Sequence, residues 1–257
     1  MPDASNENSC LLSYFQYGRE EAKDGGKIGL LNKLALQYLN EPTFDQLRTK
    51  EQLGYVVFCR PKETRDIQSA WFLIQSPKKN CEYIRTRLDI HMNNMRKKVA
   101  EMTDEQFATV VGAVMVDISE KDKNLAEANQ RHWAYELSTH AYVFDRQERE
   151  IALLPTITKA EFQAYFEQLF FQENRANRFD MHWNSQPHMK QAAEGTEPSA
   201  EEAKEGEGAE AGEPSEPEFV PTYETEKRHE NATAFKQAMG YHIDNFKTNY
   251  ANASFSM

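Results

Sequence analysis

Residues 186–217 bound what this chain can fold into. Between Lys190 and Glu218 stand ten Glu, no Asp and two Lys, set mostly among Ala, Gly, Pro and Ser. A segment with so little apolar surface cannot offset the entropy lost on ordering it. It reads as a disordered acidic linker. The packed body is therefore expected over residues 9–185. A C-terminal segment, 218–250, is expected to pack back on that body, with Asn231 as an N-cap and Phe235, Met239 and Ile243 as one helical stripe. The stretch from Lys190 to Glu218 carries −8 of the chain's net charge of −11, so the acidity says little about the body.

The body alternates strand and helix patterns. Cys10 to Tyr17 reads as a strand, and Lys27 to Leu39 as a helix through Ile28, Leu31, Leu34 and Leu39. Asn40-Glu41-Pro42 is expected to stop that helix. Thr43 with Gln46 forms a capping-box pattern for a second helix, Phe44 to about Leu53, closed by Gly54 as a left-handed cap. Tyr55 to Arg60 and Ile67 to Ser76 read as an antiparallel strand pair about a turn at Pro61 to Arg65. The apolar residues on both faces of the second strand suggest a sheet covered on both sides. Ile84, Leu88, Met92, Met95 and Val99 mark a long amphipathic helix. Thr103 with Gln106, and Thr158 with Glu161, open two more, and further helices are expected at Leu125 to about His140 and Glu148 to Leu154. Arg178 to Asn184 alternates as a half-buried strand, with Phe179, Met181 and Trp183 on its apolar face and Asp180 and His182 on the other. The sum is an α+β fold: an antiparallel sheet with helices packed mainly on one face.

Several function classes lack their residues. No apolar run approaches the ~18 residues that cross a bilayer. No secretory leader is read at the N-terminus. Arg96-Lys97-Lys98 is too short a basic run for a nucleic-acid surface. Neither nucleic acid nor membrane is expected as a partner. Cys10, Cys59 and Cys81 form neither a disulfide framework nor a zinc motif, which fits a reducing compartment and a cytoplasmic protein, a mitochondrial or peroxisomal one staying open. His132, Glu136 and His140 share a helical stripe, but the outer pair stands about 12 Å apart at 1.5 Å per residue, too far for one tetrahedral ion. They read as a polar helix face. Gly25-Gly26-Lys27-Ile28-Gly29 lacks the second half of a phosphate-binding fingerprint, and the thiols of Cys59 and Cys81 read as structural. No metal site and no catalytic residue is expected in this chain.

One junction can do chemistry. In Phe44-Asp-Gln-Leu-Arg48-Thr-Lys-Glu-Gln-Leu-Gly54-Tyr55-Val-Val-Phe58, Arg48 lies on a helix and Tyr55 opens the strand after the Gly turn. A guanidinium and a phenol aimed into one space both donate to a carbonyl or carboxylate oxygen. The residues alone leave an alternative: Arg48 paired with Asp45 or Glu51, and Tyr55 half-buried.

That fifteen-residue stretch resembles the signature of the C-terminal, fourth domain of the insulin-degrading-enzyme type in the pitrilysin (insulinase) family of zinc metallopeptidases. Cys10 to Tyr17, Asp66 to Ser76, Met102 to Phe107, Tyr142 to Arg146 and Asn231 to Lys236 also fit. The resemblance covers about residues 9–185 and 218–247. It implies a metalloendopeptidase of four related α+β units in two bowl-shaped halves that enclose a peptide. It also implies that zinc, held through an HxxEH motif, belongs to an N-terminal half that this chain lacks. This chain would bind no zinc itself, and alone would be inactive. By the same resemblance Arg48 and Tyr55 touch the substrate backbone near the scissile bond. The implied partners are a peptide substrate and the zinc-bearing half, with homo-oligomers left open. The alternative is a non-catalytic peptide-binding or chaperone-like relative.

Overall fold

The computed structural model describes residues 6–19, 26–64, 67–133, 144–171, 178–186 and 188. All belong to the first of two units, Met1–Pro217; the second, Glu218–Met257, lies outside the described residues. The expected linker from 189 onward, the C-terminal helix and the stretch 134–143 lie outside them too.

The described elements are β1 (Ser9–Arg19), α1 (Lys27–Thr43), a π-helical segment (Phe44–Lys50), β2 (Val56–Thr64), β3 (Ile67–Ser76), α2 (Cys81–Ala100), α3 (Asp104–Ser119), α4 (Leu125–Arg131), α5 (Arg146–Leu153), a 3-10 turn (Leu154–Thr156), α6 (Lys159–Phe171) and β4 (Arg178–Trp183). The strands form one sheet in the order β2-β3-β1-β4, antiparallel at every pairing. The expected α+β class is what the chain adopts.

Register decides which side chains meet the helices. Cys59, Phe72, Ser13 and Asp180 lie side by side across the four strands, and so do Val57, Ile74, Leu11 and His182. In those rows the residues of β2, β3 and β1 are buried. The opposite rows, such as Phe58, Leu73, Leu12 and Met181, are only half-buried. One face of β3 is thus fully covered, where coverage of both was expected. On the buried face Phe15 packs edge-on against Phe72 and Phe170, with centroids 5.7 and 5.2 Å apart. Leu30, Leu34 and Leu39 of α1, Ile84, Leu88 and Met95 of α2, and Phe162 and Phe166 of α6 complete a core with almost no exposure. Burying each such side chain is worth roughly 1.5–3 kcal/mol.

The expected stripe on α2 is buried throughout. The caps of α3 and α6 form as read: Thr103 and Gln106 cap reciprocally, and so do Thr158 and Glu161.

Three expectations fail locally. Pro42 does not end α1; the helix runs through it and passes without a break into the π-helical segment. Proline removes one donor and crowds the preceding turn, and here the chain widens into longer hydrogen-bonded rings, with Glu51 N–H donating to the Gln46 carbonyl. Thr43 is consequently helical and caps nothing. Pro61 lies inside β2 rather than in a turn. As an edge strand, β2 tolerates a residue without an N–H.

β4 forms as read, a half-buried strand, and its polar residues, not its apolar ones, share the buried face. Arg178 and Asp180 join Arg85 and Asp89 of α2 in a connected row of ion pairs: Arg178 to Asp89 at 2.5 Å, Arg178 to Asp180 at 3.0 Å and Arg85 to Asp180 at 3.0 Å. Alternation fixes which residues share a face, not which face turns inward. Mutual charge satisfaction lets the polar one turn in.

Candidate functional site

The π-helical segment is fastened to α2 at both ends. At its entry Thr43 Oγ1 lies 3.0 Å from His91 Nε2 in a buried hydrogen bond. At its exit Glu51 accepts from Arg87 Nε and Nη2 at 2.8 and 2.9 Å, and from Gln46 Nε2 at 2.8 Å. Arg87 and His91 lie one turn apart on α2, so the two fastenings share one rigid support. Burial lowers the His91 pKa to about 4, against the pull of the Glu51 carboxylate. The imidazole is therefore neutral at pH 7, and its Nε2 donates to or accepts from the Thr43 hydroxyl according to the tautomer.

Between the fastenings the segment carries Arg48. Its guanidinium carbon lies 4.5 Å from the ring centroid of Phe44 and 4.5 Å from that of Tyr55. The sequence reading of Arg48 and Tyr55 as neighbours in one space is met in the geometry. The ion-pair alternative is not: Asp45 pairs with Lys50 at 3.0 Å, and Glu51 is held by Arg87. No carboxylate among the described residues engages Arg48. Tyr55 is 81% exposed rather than half-buried, and Phe44 is 42% exposed.

The turn between Arg48 and Tyr55 differs from its expected form. Gln52 takes the left-handed conformation, with φ of 50°, and Gly54 does not. Gly54 is needed for another reason. A Cβ there would stand 1.8 Å from the Gln75 carbonyl oxygen, so only glycine lets the chain lie against the end of β3 before Tyr55.

Chemically the arrangement is a rigid double donor. Two rings flank the guanidinium and orient it, leaving its N–H edge for a ligand. The phenol adds an O–H. The sequence reading missed Phe44, whose four-residue offset from Arg48 was the available signal, and the Thr43–His91 and Glu51–Arg87 fastenings, which join residues 48 and 36 apart.

No group of three or more His, Cys, Asp or Glu among the described residues is placed to hold a metal ion, so these residues do not fit zinc. Glu136 and His140 of the polar stripe with His132 lie outside them. Burial pushes the Cys59 and Cys81 thiols up to about 12, which leaves them protonated and poorly nucleophilic. No helix among the described residues is long and apolar enough to cross a membrane.

Residues 34–133, which include the whole junction, match the family described as PQQ synthase PqqF-like, C-terminal lobe domain 4. Human insulin-degrading enzyme is 32% identical over 163 residues, 63% of this chain and 15% of that enzyme. This chain carries a C-terminal domain of the insulinase family. A candidate zinc protease of Schizosaccharomyces pombe is 29% identical over 187 residues, 72% of this chain and 19% of the relative. The chain thus spans less than a fifth of the length of these relatives. The crystal structure of pitrilysin superposes with a TM-score of 0.58 at 20% identity, covering 70% of this chain and 19% of that one, a likeness of fold.

Proposed function

We infer that the chain serves as the C-terminal, substrate-contacting part of an insulin-degrading-enzyme-like zinc metalloendopeptidase that encloses its peptide in a chamber. The observation that carries this reading is Arg48: flanked by Phe44 and Tyr55, engaged by no carboxylate among the described residues, and seated in the family-matched segment. Arg48 and Tyr55 would donate to a backbone carbonyl oxygen of the bound peptide. As that oxygen gains charge during attack, both hydrogen bonds strengthen, which lowers the barrier more than it tightens ground-state binding. The N-terminal half of such an enzyme supplies the metal and the general base, and forms the partner this reading requires. The three free cysteines support a reducing compartment, the cytoplasm first.

The test joins this chain to all the other units of an insulin-degrading-enzyme-like peptidase, its N-terminal half included, and follows cleavage of a fluorogenic peptide. Arg48→Ala and Tyr55→Phe are each expected to lower turnover about 10²–10³-fold with zinc content unchanged. A rise in KM alone would assign the pair to substrate binding without a part in stabilising the transition state. Unchanged kinetics in both variants would remove the pair from the site.

A further inference from the structure

The side chains of the sheet suit two covers, and the described helices supply one. An antiparallel sheet with one wet face alternates apolar and polar residues along its strands. β3 does not: Phe72 and Ile74 are buried on the helix side, while Trp71 and Leu73 lie on the opposite face. β4 inverts the pattern, turning Arg178 and Asp180 in and Met181 out. On that second face Phe58, Leu73, Leu12 and Met181 form one row across all four strands, and Trp71 and Tyr14 stand in the next. None of these six is buried. A continuous apolar face of this kind marks an interaction surface. Its outer strands stand about 14 Å apart at ~4.8 Å per strand, a width that takes one α-helix of about 10–12 Å diameter.

The charge beside this face has one sign. Arg60 heads the row of Trp71 and Tyr14, and Lys62 follows it along β2. Both are exposed, and neither forms an ion pair among the described residues. No Asp or Glu lies in either row. A second copy of the chain would add only the same cations. The relatives carry more than four-fifths of their length outside the part this chain matches, so such an enzyme has further units to supply the cover. We propose that the open sheet face seats an amphipathic helix from another unit of the same enzyme, its apolar stripe on Leu73 and Leu12 and an Asp or Glu beside the stripe reaching Arg60. This rests on the family membership and the sheet, and not on the role of Arg48 and Tyr55.

Cys10 is a natural reporter of the cover. It lies on the same face, in register with Gln75 and Trp183, and is half-buried, whereas Cys59 and Cys81 are buried with their thiols pushed up to about 12. N-ethylmaleimide should therefore label the isolated full chain at Cys10, read from the mass of its proteolytic peptide. With the chain joined to all the other units of an insulin-degrading-enzyme-like peptidase, and no peptide added, that labelling is expected to slow at least about tenfold, the effect of a cover held by 1.4 kcal/mol. Arg60→Glu should speed it again by about two- to fivefold, the scale of one exposed ion pair. Tyr14→p-benzoylphenylalanine should cross-link to a stretch of another unit with apolar residues at i, i+3, i+4 and i+7 and an acidic residue beside them. Equal labelling of Cys10 in the chain and in the joined enzyme overturns the proposal. So does a Cys10 already protected in the dilute isolated chain, or protection that rises with the concentration of that chain, which makes a second copy the occupant. Protection that needs added peptide makes the face a substrate wall and also overturns it, as do an ineffective Arg60→Glu and a cross-link to a segment of alternating apolar residues. Turnover that falls in Arg48→Ala while Cys10 stays reactive sinks this inference and leaves the proposed function standing. Protection of Cys10 with kinetics indifferent to Arg48 does the reverse.

Discussion

Arg178 and Arg48 both lie over aromatic rings and differ in how their charges are balanced. Arg178 packs 5.0 Å from the Phe15 centroid, is buried, and is held by Asp89 and Asp180. Arg48 packs 4.5 Å from two rings, is half-buried, and is engaged by no carboxylate of the described residues. The first has its charge balanced inside the protein and ties β4 to α2. The second keeps its charge in reserve, on a segment fastened at both ends. The contrast teaches that ring stacking says little about role. The whereabouts of the counter-charge separates an arginine that ties two elements together from one whose charge no carboxylate among the described residues balances.

The sharpest break of that comparison is Arg178→Met. It takes the Arg178 charge from both Asp89 and Asp180, the latter keeping Arg85, and losing one partner of a buried set costs about 3–5 kcal/mol. The melting temperature should fall by roughly 10 °C. A loss below ~1 kcal/mol would erase the difference between the two arginines.

Acid should next loosen the fastening beneath Arg48. The folded pKa of His91, about 4, lies below its ordinary 6.5. Between those values the unfolded chain binds a proton that the folded chain refuses. The His91 contribution is therefore full above pH 6.5 and is lost as the pH falls toward 4, by about 3 kcal/mol. Urea melts across that range should show this slope, flattened in His91→Gln; an equal slope in the variant would assign the acid sensitivity elsewhere.

Gly54→Ala comes third. Its Cβ would overlap the Gln75 carbonyl, so the turn or the end of β3 must shift, at a cost of ~1–3 kcal/mol. The reconstituted enzyme should lose turnover with it. Retained stability and activity would mean that the turn has slack.

Arg48→Ala should cost least in stability, ~0–1 kcal/mol, because it breaks no ion pair among the described residues. A denaturant midpoint within error of the parent, beside the expected kinetic loss, would complete the contrast. A large destabilisation would make Arg48 a structural residue after all.

How much of the molecule is legible in its sequence depends on the range of the forces involved. The stripe of α2 and the caps at Thr103 and Thr158 are local, and local spacing reports them. The adjacency of Arg48 and Tyr55 was legible because seven residues separate them. Pro42 misled because its effect depends on whether the next turn can widen, which the buried Leu47 and the α2 fastenings decide. Gly54 misled because a close backbone approach and a left-handed cap call for the same residue. For β4, alternation could not say which face turns inward, since the deciding partners, Arg85 and Asp89, lie some ninety residues away.

The wide turns of Phe44–Lys50 carry a further consequence. A π-helical segment accommodates more residues per turn than an α-helix between the same end points. Thr43 and Glu51 fix those end points on α2, so the stretch behaves as a counted spacer. Deleting one residue would let it tighten into an α-helix between the same two end points, turning Arg48 by up to about 100° relative to one of its flanking rings, although every chemical group of the site remained. Across related sequences the spacing from Thr43 to Glu51 should therefore resist insertion and deletion more firmly than its exposed side chains resist replacement.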